Sequence, residues 1–381
     1  MEPLKDDDPQ VIGGYRLLGR IGAGGMGLVY LGESPAGQHV AVKMIKASVL
    51  DEDTRARFIL EVESLKTVYG PNVAAFVGAD AQADHPWLAV EYVAGPDLHA
   101  LVTEQGPLPP VETASLGALL SEGLRTVHQA GLLHRDLKPQ NIMIAAYGPK
   151  LIDFGLAVLA ERRSTLTATG VVVGSVLCMP PEQARGEIRL TEAADVYALG
   201  AVLLYAATGH YPYSGPGWQA IALRIEDPET APDLDGLPPE LSTVVETMLA
   251  LEPVARPPLE EVREQLIRII NHHGLSAGQA KRRLTARVPE QPDLPEPPLP
   301  ENVEYTPRLL DPAGWDSEVR TPESGAVAEP DETDEAEPAP QDALPEEAAS
   351  EPAPARSGPS LTAALAVAGR IRSGYARDAR F

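Results

Sequence analysis

The sequence predicts an α+β fold with two lobes, a small β-rich lobe followed by a larger helical lobe, and then a disordered tail. Short apolar runs rich in β-branched residues dominate up to residue 93, whereas longer stretches with helical spacing follow. The 38 prolines are spread unevenly, which separates a folded part from an unfolded part. We expect six regions: a flexible N-terminus (1–12), the β-rich lobe (13–93), the helical lobe (94–272), a basic segment (273–287), a disordered acidic, proline-rich linker (288–358) and a short C-terminal helix (359–381).

Composition excludes several classes of protein. The net charge of −24 disfavours binding to nucleic acid or to anionic lipid. A single cysteine, Cys178, excludes an internal disulfide and a zinc site built from several cysteines. The acidic start has no apolar core, and no apolar run approaches the ~18 residues that a membrane span needs. We therefore expect a cytoplasmic protein with no signal peptide and no transmembrane segment.

A glycine-rich stretch, residues 22–27, lies between two runs of β-type residues. Its four glycines allow the backbone to lie close to a phosphate, with N–H groups as donors. The pattern G-x-G-x-x-G also occurs in dinucleotide-binding domains, where it opens a helix. Here Val29 and Tyr30 continue a strand, so the pattern favours a hairpin with its glycines over a phosphate. A glycine-rich hairpin without a ligand is the alternative that this stretch alone leaves open.

Lys43 stands in the middle of an apolar strand, residues 39–45. A buried lysine is costly unless it has a partner, and we expect an acid on the following helix to supply one. Apolar residues at helical spacing predict that amphipathic helix over residues 53–67. It carries two acids, Glu61 and Glu63, which lie about 200° apart around the helix, so only one of them can face the site.

Residues 134–155 hold polar side chains on two short loops joined by apolar segments. Residues 142–144 and 150–152 predict two short strands with a turn between them. Such a hairpin brings Asn141 and Asp153 close together. Carboxylate and amide oxygens in that arrangement suit Mg²⁺, which takes few protein ligands and keeps most of its waters.

The same stretch leaves Asp136 to meet a substrate hydroxyl and Lys138 to neutralise a phosphoryl group during transfer. The sequence HRDLKPQN followed by DFG resembles the catalytic and metal loops of bacterial Hanks-type (eukaryotic-like) Ser/Thr protein kinases. The resemblance covers residues 13–272 and implies the two-lobed protein-kinase-like fold. It implies transfer of the γ-phosphoryl group of ATP to Ser or Thr hydroxyls of protein substrates, with Mg²⁺, or alternatively Mn²⁺, as the metal. A lysine two residues after Asp136 is typical of Ser/Thr rather than tyrosine kinases.

The resemblance also assigns residues to the site. It implies five catalytic residues: Asp136, Lys138, Asn141, Lys43 and Glu61. Glu61 is then the acid that holds Lys43, and Asn141 and Asp153 hold the metal. The implied nucleotide contacts are Ile21, Gly22, Ala23, Gly24, Gly25, Gly27, Val29, Ala41, Lys43, Glu91, Val93, Met143 and Asp153.

Regulation is expected in the threonine-rich segment 156–179. In the family, an arginine at the position of Arg135 pairs with a phosphate on this segment. The resemblance therefore implies autophosphorylation in trans, through self-association, at one of three threonines: Thr165, Thr167 and Thr169. A solvated threonine cluster is the alternative. Ser175 keeps the hydroxyl that can contact Asp136 and Lys138.

Three other functions share part of this pattern. A pseudokinase scaffold would normally lose a residue of the catalytic set, and this chain keeps all of them. A small-molecule kinase would share the metal loop but lack the long segment that ends in Pro181-Glu182 and its partner Arg256. An adaptor would act mainly through a protein partner bound to the tail, with phosphorylation incidental.

Overall fold

The structure is a computed structural model, and it describes residues 1–24, 27–46, 52–154, 176–187 and 189–289. All of these residues belong to one compact unit, Met1–Val303. Several expectations lie outside the described residues: the linker (288–358) beyond residue 289, the C-terminal helix (359–381), Gly25, Thr165, Thr167, Thr169 and Ser175.

The first half of the described chain forms an antiparallel six-stranded sheet with strand order β1-β2-β3-β4-β6-β5. Burial alternates in the fourth strand, where Val40 and Val42 are buried while Ala41 and Lys43 are partly exposed. In the third strand Tyr30, Leu31 and Gly32 are all buried. The strands are β1 (Val11–Ile12), β2 (Tyr15–Gly24), β3 (Gly27–Glu33), β4 (His39–Ile45), β5 (Phe76–Asp80) and β6 (Trp87–Glu91).

Helix α1 (Glu52–Leu65) packs against this sheet, which confirms the predicted amphipathic helix. Phe58, Val62 and Leu65 form its buried stripe and join the same core cluster as Ile45 and Leu88. Burial of these three side chains fixes the rotation of the helix about its axis.

The second half of the described chain is helical and is built around α3 (Pro110–Gln129) and α5 (Glu192–Thr208). Helix α5 is buried on nearly every side, as its almost continuous apolar sequence predicts, and it ends at Gly209 with φ of 84°. Helices α3, α8 and α9 pack beside one another. The helices are α2 (Leu98–Gln105), α3 (Pro110–Gln129), α4 (Pro181–Ala184), α5 (Glu192–Thr208), α6 (Trp218–Glu226), α7 (Pro239–Met248), α8 (Leu259–His272) and α9 (Ala277–Thr285).

A two-stranded hairpin lies between α3 and α4 in the chain. Its strands are β7 (Ile142–Ala145) and β8 (Gly148–Leu151), with Ile142 opposite Leu151. This confirms the predicted hairpin, and together with the sheet and the helices it confirms the predicted α+β fold with two lobes.

The N-terminus departs from expectation. Residues 1–12, expected to be flexible, pack along the sheet: β1 pairs with β2, Glu2 bridges to Arg20, and Asp8 is buried. The acidic run resembles a solvated segment, but Arg20 and Tyr30 supply hydrogen bonds to Asp8, and these offset the cost of its burial.

The folded part also extends beyond residue 272. Helix α9 begins at a capping box formed by Ser276 and Gln279, and it buries Ala280 and Leu284 completely. Arg287 then pairs with Glu112 at the start of α3. The basic segment 273–287 therefore belongs to the helical half because its apolar residues pack against it.

None of the helices within the described ranges combines the length and the apolar character needed to cross a bilayer.

Candidate active site

Three polar side chains of the loop before β7 are linked by hydrogen bonds. Lys138 Nζ lies 2.7 Å from Asp136 Oδ2. Asn141 Nδ2 donates to the Asp136 carbonyl oxygen at 2.8 Å and to Asp136 Oδ2 at 3.2 Å. Both side-chain bonds end on Oδ2, so Oδ1 can accept a proton from a substrate hydroxyl. The structure thus brings together the acid, the cation and the amide that the sequence selected.

This loop is held from below by a buried acid on α5. Asp195 is 1% exposed and accepts hydrogen bonds from the backbone N–H groups of His134 and Arg135 at 2.8 and 2.9 Å. His128 Nε2 lies 2.7 Å from the same carboxylate. Arg135 has φ of 62°, a strained backbone conformation for a residue with a side chain. The bonds to Asp195 hold the loop in that conformation, one residue before Asp136.

Asp153 follows β8 and points at Lys43 on the sheet. Lys43 Nζ lies 3.0 Å from Asp153 Oδ2. Desolvation alone would raise the pKa of Asp153, but the charge and the hydrogen bond of Lys43 outweigh it, so the pKa lies below its ordinary value. Asp153 also has φ of 58°. The pair joins the sheet to the β7–β8 hairpin with an ionised carboxylate.

The hairpin places Asn141 and Asp153 at the same end. The backbone N–H of Ile152 donates to the Asn141 carbonyl at 3.0 Å, so the two candidate metal ligands flank one hydrogen bond. Asn141 uses its Nδ2 for Asp136, which leaves Oδ1 as a ligand oxygen. An amide oxygen and an ionised carboxylate are a donor set that fits Mg²⁺ or Mn²⁺.

The structure does not bring Glu61 to Lys43. Among the described residues, Lys43 pairs with Asp153, and Glu61 lines a cavity of about 660 Å³ together with Leu132 and Arg135. The buried stripe of α1 fixes the rotation of the helix and leaves Glu61 at the edge of that stripe, facing the helical half. The rival acid Glu63 pairs with Lys66 instead, at the surface of the helix.

The glycine-rich stretch forms the predicted hairpin. Strand β2 runs through Gly24 and β3 starts at Gly27, with Gly22 opposite Val29. A Cβ atom on Gly27 would lie 1.8 Å from the Met44 carbonyl oxygen, so only glycine fits there. In the same sheet Val29 lies opposite Lys43, which places the hairpin beside the lysine.

The apolar residues expected to contact the nucleotide lie on the sheet and on the β7–β8 hairpin. Ala41 lies opposite Val90 in the sheet. Val90 and Met143 pack on a buried cluster that contains Val93, and Ile152 packs there too. Sequence reasoning missed Ile152, although its position before Asp153 could have indicated it. The expected contacts Ile21, Gly22 and Ala23 lie on β2, leading into the hairpin.

Glu91, at the end of β6, has a partner that the sequence did not reveal. Lys150 on β8 donates to both of its carboxylate oxygens at 2.7 Å. Glu91 also exchanges bonds with Ala75: its backbone N–H donates to the Ala75 carbonyl at 2.8 Å, and its carboxylate accepts the Ala75 N–H at 3.2 Å. The carboxylate therefore ties the end of the sheet to the strand that leads to Asp153.

Two buried features complete the surroundings. Arg256 forms a two-pronged pair with Glu182 at 2.7 and 2.8 Å, which supports α4 without entering the site. Cys178 is buried, and burial raises the pKa of its thiol, so it is not poised as a nucleophile.

Comparison with known proteins agrees with this geometry. A family model described as "Protein kinase domain" matches residues 15–266, which is more than half of the chain. The chain belongs to the protein kinase family. Together with similar bacterial proteins named as Ser/Thr-protein kinases, the match confirms the resemblance to bacterial Hanks-type Ser/Thr kinases.

Three bacterial relatives illustrate the similarity. The Ser/Thr-protein kinase AfsK of Streptomyces coelicolor is 41% identical over 268 residues, covering 70% of this chain and 33% of the relative. The probable Ser/Thr-protein kinase PkwA of Thermomonospora curvata is 43% identical over 267 residues, covering 70% and 35%. The Ser/Thr-protein kinase PknK of Mycobacterium tuberculosis is 37% identical over 276 residues, covering 70% and 24%. The match therefore spans about a third or less of each of these proteins.

Proposed function

We propose that this kinase-family protein transfers the γ-phosphoryl group of ATP to Ser or Thr hydroxyls of protein substrates in the cytoplasm. The observation that carries the proposal is the linked set Asp136, Lys138 and Asn141 beside the Lys43–Asp153 pair. A hydroxyl is a poor nucleophile and the phosphates repel it, so the reaction needs positioning and charge neutralisation more than covalent help.

Each side chain has a defined part in this reaction. Asp136 Oδ1 accepts the hydroxyl proton, and a positioned base of this kind contributes roughly 10²–10⁴ in rate. Lys138 neutralises charge on the transferred group, and Lys43 orients the phosphates. Asn141 Oδ1 and the Asp153 carboxylate would hold Mg²⁺, or Mn²⁺ in its place. The bound cation supplies charge neutralisation for the phosphate oxygens.

The remaining assignments are also proposals. The glycine hairpin covers the phosphates, and the backbone of Glu91 and Val93 meets the adenine. Self-association allows phosphorylation in trans at Thr165, Thr167 or Thr169, with Arg135 receiving the phosphate and Ser175 contacting Asp136. The tail binds a protein partner.

The decisive experiment is a transfer assay with the purified full chain. The protein is incubated with γ-labelled ATP, Mg²⁺ and a generic basic protein, and label is measured on both polypeptides. Asp136→Asn should abolish both signals, whereas Asp84→Asn, an exposed acid away from the site, should not change them. Absence of transfer by the wild type, including after incubation with ATP, would refute the proposal.

Phosphopeptide mapping tests the regulatory part separately. The wild type should carry phosphate on at least one of the three threonines, and Asp136→Asn should carry none. An active enzyme whose segment 156–179 is unmodified would refute autophosphorylation without affecting the reaction itself.

A further inference from the structure

The N-terminal segment, residues 1–12, carries a buried carboxylate that the active site does not use. The Asp8 side chain is only 2% exposed. Its oxygens accept from Arg20 Nε and Nη2 at 2.6 Å each, from the Tyr30 hydroxyl at 2.7 Å and from the Lys5 backbone N–H at 2.8 Å. Four donors match the acceptor capacity of a carboxylate, so this acid is fully satisfied.

The side chains that bond to Asp8 lie on β2 and β3, the two strands of the glycine hairpin. Arg20 on β2 and Tyr30 on β3 are directly opposite each other in the sheet, and the next pair toward the loop is Gly22 with Val29. The register shifts between these two pairs, so the hairpin is irregular where the glycines begin. Asp8 therefore bridges both strands at the base of the hairpin, at the last pair before the register shift that precedes Gly22.

The same segment also covers the outer edge of β2. Glu2 and Arg20 exchange backbone hydrogen bonds of 2.9 and 2.8 Å, and the Leu17 N–H donates to the Gln10 carbonyl at 2.9 Å. A Cβ atom on Gly19 would lie 2.9 Å from the Glu2 carbonyl oxygen, so a glycine allows the close approach. An edge strand normally has one row of unpaired backbone groups. Here β2 is bonded on both sides as far as Arg20.

The protonation states of Asp8 and Tyr30 favour lasting hydrogen bonds between the N-terminal segment and the sheet. The hydrogen bond from Arg20 is the largest influence on Asp8 and helps to hold its pKa below the ordinary value, so the carboxylate is ionised at neutral pH. Burial, and then the bond to Asp8, raise the pKa of Tyr30, which remains a neutral donor. The adjacent Asp7 is 85% exposed and lies 3.7 Å from Arg20, so it shares the charge but not the burial.

We propose that Asp8 is a positioning residue for nucleotide binding, which acts through Arg20 and Tyr30 to fix the base of the glycine hairpin. The inference rests on the proposed function, in which the hairpin backbone meets the phosphates of ATP. A hairpin that is already ordered loses less conformational freedom when it binds, and this improves affinity without adding a contact to the ligand. The effect should be confined to ligands that carry phosphates, because Asp8 lies at the base of the hairpin and not at the adenine walls.

The test compares Asp8→Asn with Asp7→Asn in the full chain, since both variants remove one acid from the same run. KM for ATP and kcat are measured together with the dissociation constants of ADP and adenosine and the thermal midpoint. Asp8→Asn should raise KM for ATP and Kd for ADP about 3- to 10-fold, leave Kd for adenosine unchanged and change kcat less than twofold. Asp7→Asn should match the wild type in every measurement. Tyr30→Phe, which removes one of the four bonds, should weaken ADP binding by about 2-fold.

Other results would overturn the inference. If Asp8→Asn lowers the thermal midpoint but leaves KM for ATP and Kd for ADP unchanged, the role of Asp8 is purely structural. Equal weakening of ADP and adenosine would show that the whole site is disturbed. If Asp8→Asn does not fold, Tyr30→Phe decides, and unchanged ADP binding in that variant overturns the inference. A wild type that binds no nucleotide would instead refute the proposed function.

Discussion

The catalytic loop is fixed by side chains buried beneath it, whereas the glycine hairpin is fixed along the edge of a sheet. Asp195 lies under the loop and bonds two consecutive backbone N–H groups, with His128 beside it. The hairpin depends on cross-strand pairing and on Asp8 at its base. Under the proposed function the two arrangements suit different tasks, because a base must be held at one position while a flap over a nucleotide must admit and release it.

Damage beneath the loop should be more severe than damage to the partly exposed Glu91–Lys150 pair at the end of β6. When a buried anion is bonded only to backbone groups and buried side chains, no water is nearby to replace a partner that is lost. A partly exposed pair can be replaced by water at small cost.

Asp195→Asn should have the largest effect. The substitution removes the buried charge that faces His134, Arg135 and His128, and it places an amide N–H where an acceptor was needed. We expect a loss of roughly 3–5 kcal/mol in the free energy of unfolding, by analogy with the removal of one partner from a buried pair. Displacement of Asp136 by about 1 Å would add a fall in kcat of about 10².

Urea denaturation and the transfer assay measure these two losses. Glu192→Gln is the matched control: Glu192 lies on the same helix, 3.6 Å from His128, but its side chain is 70% exposed. It should change stability by less than about 1 kcal/mol. Equal effects of the two substitutions would show that burial of Asp195 does not govern the loop.

The same contrast explains how far sequence reasoning reached. Lys43, Asp136, Asn141 and Asp153 were identified because their roles depend on local motifs, and the fold followed from strand and helix periodicity. Asp8 could not be selected, since it is one of three consecutive acids and only the tertiary structure shows that Arg20 and Tyr30 surround it.

Three further features also depended on long-range packing. Glu61 was expected to face Lys43, but the direction of a side chain on α1 depends on how its buried stripe docks. The Glu91–Lys150 pair joins residues that are 59 positions apart, and no local pattern connects them. Helix α9 was missed because its basic residues concealed two buried apolar residues, Ala280 and Leu284. Motifs thus predicted the chemistry, whereas the supports of the site required coordinates.

His134 should give the catalytic loop a pH dependence of intermediate size. Burial lowers the pKa of its imidazole below the ordinary value, although the carboxylates of Asp195, Asp136 and Asp153 act in the opposite direction. As pH falls through about 6.5, the unfolded chain therefore binds a proton that the folded chain does not. The stability that His134 contributes is present above that pH and declines below it, with a slope of at most about 1.4 kcal/mol per pH unit.

His134→Leu removes this group and should flatten the decline. Urea midpoints of the wild type and the variant are compared at about pH 7.5 and about pH 5.5, within the range where an ordinary histidine titrates. The variant should be less stable at both pH values because it loses the contact with Phe154, whose ring centroid lies 6.5 Å away. Only the difference between the slopes tests the prediction, and parallel declines would show that His134 does not cause it.

Lys150→Met should have a much smaller effect than Asp195→Asn, although its bonds to Glu91 are as short as those of the buried pairs. The side chains of Lys150 and Glu91 are 19% and 36% exposed, so water can replace either partner. We expect a loss of at most about 1 kcal/mol. Lys66→Met removes the partner of Glu63 in a more exposed pair, so it should cost less still.

A double-mutant cycle of Lys150→Met with Glu91→Gln isolates this pair. A coupling free energy of about 3 kcal/mol or more would place the pair with the buried supports of the catalytic loop. The contrast between the two regions would then fail, because the end of the sheet would be held as rigidly as the loop. A coupling below about 1 kcal/mol would show that the end of β6 is held less tightly than the catalytic loop.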